Sequence, residues 1–271
     1  MADAHALQVS ELRKVYLGRS GNAVQALAGV SLDVRDGEVV AVVGPSGCGK
    51  SSFLRILAGL DSEYQGSIRW SFAEAAIGSR KLPGAVVFQS ESVFPWMTVE
   101  RNVLVGLSGL DLDAAAKKDR ADRYLALVGL KDFRSAYPHE LSGGMRQRLA
   151  IARALATEPS VLLMDEPLAA LDAQTRLVMQ QEIVRILKHT RSTVIYITHD
   201  ISEALTLAHR VVVMTARPGR IKDIVESPTH SSDDILELRR QPEFALLERR
   251  IWTMVAEEVG QALHRTTEPV Q

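Results

Sequence analysis

The sequence predicts an α/β protein with a mixed sheet, interrupted by a helical insertion and closed by a helical tail. Three observations carry this. Val39–Val43 is a continuous run rich in β-branched residues, as in a strand covered on both faces, whereas Val30, Leu32 and Val34 alternate with polar residues, as in a half-buried strand. Strand character is then lost from about Ser90 to Pro159.

Further strands are expected at Ser67–Trp70, Ala85–Gln89, Val161–Met164, Thr193–Thr198 and Val211–Thr215. The segment from Ser90 to Pro159 reads as a helical insertion, and its run Asp113–Val128 closes on Gly129, a C-terminal stop signal. Arg217-Pro218-Gly219-Arg220 places Pro and Gly where a type II turn wants them, leading into a short strand at Ile221–Val225 that ends the main domain. From Glu243 onward, Phe244, Leu247, Ile251, Met254 and Val255 share one helical face, with Arg249, Thr253 and Glu257 opposite, as in a docked tail helix.

Composition bounds the function. The 271 residues are too many for one average domain and few for two; 32 Lys+Arg against 33 Asp+Glu leave a net charge of -1, without the footprint of strong nonspecific nucleic-acid binding. With 46% apolar residues the chain can bury a sizeable core, and no aliphatic run nears the roughly 20 residues that span a bilayer. The opening residues lack a signal-peptide pattern and the single Cys48 has no internal partner, so a cytosolic protein is expected.

Directly after Val39–Val43 come Gly44, Pro45, Ser46, Gly47, Cys48, Gly49, Lys50 and Ser51, which fit G-x-x-x-x-G-K-[ST], and then Ser52 to Leu57, which can form a helix. Strand, loop and helix stand in the order a nucleoside-triphosphate site requires. Glycines let backbone amides converge on phosphate oxygens, the helix N-terminus adds its positive dipole end, Lys50 neutralises β/γ charge and the Ser51 hydroxyl is a ligand for Mg²⁺. A nucleophilic role for Cys48 would need an activating base, and no histidine is near it in sequence.

Val161–Met164 ends in Asp165 and Glu166, two acids at a strand's carboxyl edge. Asp165 suits the Mg²⁺ hydration shell, and Glu166, if kept off the metal, suits general-base activation of water; solvated strand termini read the same way in isolation. Thr193–Thr198 runs into His199, placed to donate to a γ-phosphate or to serve structure, and Asp200 with Glu203 fits a capping box.

Leu141-Ser142-Gly143-Gly144-Met145-Arg146-Gln147-Arg148 resembles the signature of the ABC-type ATPases, and lies between the phosphate loop and the acidic strand as in that family. Ser142 reads as an N-cap, Gly143 and Gly144 leave amides exposed, and Met145, Leu149, Ala152 and Ala156 form an apolar stripe. The resemblance implies a P-loop NTPase core with an antiparallel β-subdomain and an inserted helical signature subdomain. It also implies two ATP molecules, with Mg²⁺, sandwiched in a head-to-tail dimer in which the signature of one chain meets the γ-phosphate held by the other. By the same resemblance Tyr16 stacks on adenine, Gln89 senses Mg²⁺ and water and hinges the helical insertion, Asp172 communicates across the dimer, and His199 is the switch histidine. Ala169, where many relatives carry serine, and Met145, where many carry glutamine, depart from the family pattern without removing a catalytic group.

The resemblance covers about 7–225 as the ATPase domain, with residues 90–159 as the inserted helical part and 226–271 as the tail. Phe94-Pro95-Trp96-Met97-Thr98-Val99, Tyr137-Pro138-His139-Glu140, Ala216 to Ile221 and the tail around Phe244 look like the nitrate, sulfonate, taurine and bicarbonate importer subfamily. This implies permease subunits as partners, a solute-binding protein acting indirectly, a homodimer as the simpler assembly, and a peripheral place on the cytoplasmic face of the inner membrane. Phe94, Trp96 and Met97 either pack inside or are covered by the membrane partner. The competing class is an ABC-type ATPase acting on nucleic acid or the ribosome. Its repair form needs cysteine-rich zinc sites and its chromosome-organising form needs long heptads, and the sequence supplies neither.

Overall fold

The computed structural model describes residues 5–18, 22–71, 84–89, 92–190, 192–227 and 235–267. Ser90, the expected start of the helical stretch, and 228–234 and 268–271 of the tail lie outside them. The chain divides into two compact units, one formed by Met1–Pro83 with Thr193–Gln271 and the other by Gly84–Ser192.

In the discontinuous unit, β1 (His5–Leu17) lies between β2 (Ala23–Arg35) and β4 (Gln65–Trp70), antiparallel to both. The alternating Val30, Leu32 and Val34, expected as a half-buried strand, lie in β2 and are all buried, and the antiparallel sheet is the one the family resemblance implied. A second sheet is built on β3 (Val39–Val43), which pairs in parallel with β7 (Thr193–Ile197) on one side and β8 (Arg210–Met214) on the other; β8 pairs antiparallel with β9 (Ile221–Glu226). Every residue of β3 and β7 is buried, which is why both read as unbroken apolar runs. Helices α1 (Lys50–Leu57), α6 (Ile201–Leu207), α7 (Ile235–Arg240) and α8 (Pro242–Thr267) complete this unit.

Strand β1 is absent from the sequence expectation because its period is broken. A register shift lies between Val9 and Leu12, and Glu11 sits at φ 50, so the buried Leu7 and Val9 fall out of step with Leu12. The turn after β8 also differs from expectation. The Arg217–Pro218 peptide is cis and Gly219 is not among the described glycines with positive φ, whereas a type II turn requires one there. Gly219 instead pairs with β2, its N–H donating to Ala26 O at 2.9 Å and its carbonyl accepting from Ala28 N at 3.0 Å.

The tail helix α8 docks through the expected face: Phe244 and Ile251 are buried, while Arg249, Thr253 and Glu257 are exposed. A polar clamp fixes it as well. Buried Glu258 accepts from Ala216 N at 2.9 Å and pairs with Lys222 at 2.9 Å, and Lys222 also reaches Glu257 at 2.8 Å.

In the contiguous unit, β5 (Gly84–Val87) and β6 (Val161–Asp165) pair in parallel. Between them run α2 (Val99–Gly106), α3 (Ala114–Leu127) and α4 (Gly143–Leu155), and α5 (Ala173–Thr190) follows β6. Asp113 caps α3, accepting from Ala116 N at 2.7 Å, and Gly129 takes φ 68 just past its end. Thr98 caps helix α2, and the fully buried Asn102 secures the approach to it by exchanging hydrogen bonds with the main chain of Phe94 at 2.7 and 3.1 Å.

Candidate functional site

Residues Gly44–Gly49 connect buried β3 to α1, so the loop is stretched between two fixed supports. Gly49 is needed twice over: it takes φ 105, and a Cβ there would stand 2.8 Å from Ala26 O and from Leu27 Cδ2. Lys50, only 8% exposed, folds its ammonium over the loop and donates to Gly44 O at 2.7 Å and Pro45 O at 3.1 Å. Desolvating an ammonium is tolerable because these carbonyls surround it. Ser46, Gly47 and Ser51 are exposed along the loop rim. Cys48 differs from them. Its thiol is buried and pushed up from its ordinary pKa by that burial, against the lowering effect of Lys50, so it is an unreactive packing group. Beneath the loop lies Gly219, where an added Cβ would fall 2.0 Å from Cys48 O.

Tyr16, near the end of β1, lies beside the first turn of α1. Its hydroxyl is 3.2 Å from Ser52 Oγ and from Asp61 Oδ2, and Lys14 Nζ sits 4.7 Å from its ring centroid. Buried Lys14 also donates to Asp61 at 2.7 Å and to Glu63 O at 2.6 Å. Burial alone would raise the Asp61 carboxyl, but hydrogen bonds from Lys14, the Glu63 amide and Tyr16 hold it below the usual carboxylate range. This Lys14–Asp61 pair, which fixes Tyr16 next to Ser52, has no motif and was not legible in the sequence.

His199 is exposed, just past β7 and ahead of α6. It opens onto a cleft of about 420 Å³ whose other wall is formed by Glu248, Arg249 and Trp252 of α8. Asp200 caps α6, accepting from Glu203 N at 2.9 Å. The expected capping box is modified, because the buried Glu203 carboxylate accepts from Tyr196 and Thr198 hydroxyls while Asp200 N–H donates to Thr198 Oγ1 at 3.0 Å.

In the contiguous unit, β6 ends at the buried Asp165, and Glu166 follows at φ 45, a region that costs a non-glycine residue energy. Gln89 lies beyond β5 rather than within it, and its Nε2 donates to Glu166 Oε2 at 3.0 Å. Two of the expected catalytic side chains are thus in direct contact. Asp172 serves as the cap of α5: its carboxylate accepts from Gln174 N at 3.1 Å and Thr175 N at 3.0 Å, and these amides, Thr175 first, lower its pKa.

The octet Leu141–Arg148 opens α4. Ser142 Oγ accepts from Met145 N at 3.2 Å, leaving Gly143 and Gly144 in the partly exposed first turn. A Cβ on Gly144 would come within 3.2 Å of Leu171 Cδ2. Leu149, Ala152 and Ala156 are buried as expected of the apolar stripe. Trp96 is 69% exposed, its ring tilted against Phe94 at 5.6 Å, so it is not a core residue. The Arg153 guanidinium lies 5.1 Å from the centroid of the Phe94 ring.

Among the described residues no cluster of three or more His, Cys, Asp or Glu could hold a metal ion by itself. Ser51 in the discontinuous unit carries a hydroxyl, and Gln89 and Asp165 in the contiguous unit carry amide and carboxylate oxygens, each a hard donor of the kind Mg²⁺ prefers.

Known proteins share this layout. The ABC transporter family pattern matches residues 27–169. An uncharacterized ABC transporter ATP-binding protein of Methanocaldococcus jannaschii is 43% identical over 260 residues, covering 95% of this chain and 94% of that protein. An aliphatic sulfonates import ATP-binding protein of Bacillus cereus is 39% identical over 240 residues, covering 87% of this chain and 93% of its own length. Among solved structures, an ATP-binding cassette dimer in a post-hydrolysis state bound to ADP and Pi superposes with a TM-score of 0.69 at 29% identity, covering 81% of this chain and 98% of that one.

Proposed function

We infer the function from one premise: this chain belongs to the ABC transporter family of ATP-binding proteins, and is an ATPase. We propose that it is the energy-coupling subunit of an importer for a small anion such as nitrate, a sulfonate, taurine or bicarbonate. It would work as a head-to-tail homodimer, peripheral on the cytoplasmic face of the inner membrane, with permease subunits and, indirectly, a solute-binding protein. Similarity to sulfonate import proteins supports the solute class. No described helix is long and apolar enough to cross a membrane, which fits a subunit that relies on separate permeases.

The observation that carries this reading is that one chain presents two glycine-rich helix N-termini, Gly44–Ser51 before α1 and Ser142–Gly144 at α4. The first would hold the phosphates of one ATP, with Lys50 on the β/γ oxygens and Tyr16 stacked on adenine. The second would receive the γ-phosphate bound by the other copy. Glu166 would take a proton from the attacking water, with Gln89 fixing its carboxylate, and His199 would donate to the γ-phosphate. Ser51, Asp165 and Gln89 would hold Mg²⁺, which when bound neutralises charge across the β and γ oxygens. Asp172, besides capping α5, would face the other subunit.

Two measurements test the proposal. Ser142→Arg should leave nucleotide binding by the single chain nearly intact and abolish ATP-dependent dimerisation; equal loss of both would contradict the sandwich. Reconstitution with the membrane partners should show stimulation of ATPase by a binding protein loaded with one of these anions. Stimulation only by a solute of another class would overturn the assignment.

A further inference from the structure

Helix α4 begins with the signature residues and, one turn further in, carries Gln147, which is 1% exposed. Gln147 Nε2 donates to the carbonyl of Phe88 at 3.3 Å, and Phe88 immediately precedes Gln89. A second tie lies two turns on, where Arg153 donates to Ser92 Oγ at 3.1 Å and faces the Phe94 ring. The main chain carrying Gln89 is therefore gripped on both sides by α4. Gln89 in turn donates to Glu166. A continuous path runs from Ser142 through α4, Gln147 and Phe88 to Gln89 and the Glu166 carboxylate, entirely within the contiguous unit.

Gln147 is a poor choice for stability. Its Oε1 is buried without a hydrogen-bond partner among the described residues, and a half-satisfied buried amide is worse than an apolar side chain of similar size. What it supplies is a directional link that leucine cannot make.

We propose that Gln147 is a positioning residue that makes the aim of the general base depend on the signature helix. A γ-phosphate from the other copy, drawn to the N-terminus of α4, would pull on the helix along its axis. Because helices move as rigid rods while Phe88 and Gln89 lie past the end of β5, the displacement would be taken up at these two residues. Glu166 would then be oriented for proton abstraction only when the second subunit is engaged. This rests on the sandwich reading above.

The test is a double-mutant cycle in the full-length chain. Gln147→Leu should leave thermal stability and ATP affinity unchanged, and in the trapping background Glu166→Gln it should leave ATP-dependent dimerisation intact. The turnover number at saturating ATP should fall about tenfold, with KM little altered. Gln89→Ala removes the link further down the path, so adding Gln147→Leu to it should lower turnover less than about twofold. Wild-type turnover by Gln147→Leu would overturn the inference, as would a multiplicative loss in the Gln89→Ala background. A lowered melting temperature would reduce Gln147 to a packing role. Should Glu166→Gln itself turn over at the wild-type rate, the base assignment fails first and takes this inference with it.

Discussion

Replacing Glu166 by glutamine separates chemistry from structure, because the two effects differ in size. The carboxylate accepts a hydrogen bond from Gln89 at 3.0 Å, and at this contact the amide of Glu166→Gln keeps the same length and an acceptor oxygen. What is lost is the excess of a charge-assisted over a neutral hydrogen bond, about 1 kcal/mol, and less here because Gln89 is exposed. For a chain of this size that corresponds to a melting shift of at most about 2–4 °C. The unfavourable φ at position 166 is common to both proteins and cancels. Loss of a general base, by contrast, slows turnover by roughly 10²–10⁴-fold, equivalent to about 2.7–5.5 kcal/mol in the barrier. Phosphate release at saturating ATP, measured beside a thermal melt, should therefore show a severe catalytic defect in a stable protein that still binds ATP. Turnover within about tenfold of wild type would remove Glu166 from the base role. A melting drop several times larger than the limit above would mean that the carboxylate is structural.

Lys50→Ala should sharply weaken ATP binding or turnover, since it deletes the ammonium folded over the loop; unchanged affinity and hydrolysis, measured by equilibrium binding and phosphate release, would refute the loop assignment. Trp96→Ala should leave the melting temperature of the isolated chain within about 1 °C, as expected for an exposed side chain, while weakening assembly with permease subunits. A large thermal loss, or normal assembly and transport, would contradict a docking role. Lys222 is held above its ordinary value near 10.5 by hydrogen bonds to Glu257 and then Glu258. Its contribution to tail docking is therefore fully present below that value and is lost as pH rises through the raised one. Hydrogen exchange of α8 should stay flat from pH 7 to about 10 after correction for intrinsic rates and loosen only above that, whereas Lys222→Met should loosen it throughout.

The sequence foretold some parts well for identifiable reasons. Strands β3, β6 and β7 are covered on both faces, so their apolar runs coincide with their limits, and the phosphate loop and signature follow from residue types that the backbone geometry demands at fixed spacing. The contact between Gln89 and Glu166 was not legible, because it joins residues 77 apart in sequence, and the family resemblance implied for Gln89 only a sensing and hinge role. The irregular backbone at Glu11 hid β1, since period-two alternation cannot survive an extra residue. Gly219 was misread because a Pro-Gly pair signals a turn whatever it packs against, and its real constraint is the crowding by Cys48 and β2. The Lys14–Asp61 pair that supports Tyr16 depends on tertiary placement alone.

The discontinuity of the unit that bears the phosphate loop has a consequence for how the protein is born. Strand β3 leaves the ribosome early, yet both of its sheet neighbours, β7 and β8, begin at Thr193 and Arg210. About 150 residues separate the end of β3 from β7, which at 5–20 residues per second leaves a fully apolar strand without its neighbours for roughly 8–30 s. The contiguous unit, complete by Ser192, can compact during that interval. A nascent chain stalled before Thr193 would carry a finished signature helix and a phosphate loop with nothing to hold it, and so would be bound by chaperones rather than by nucleotide.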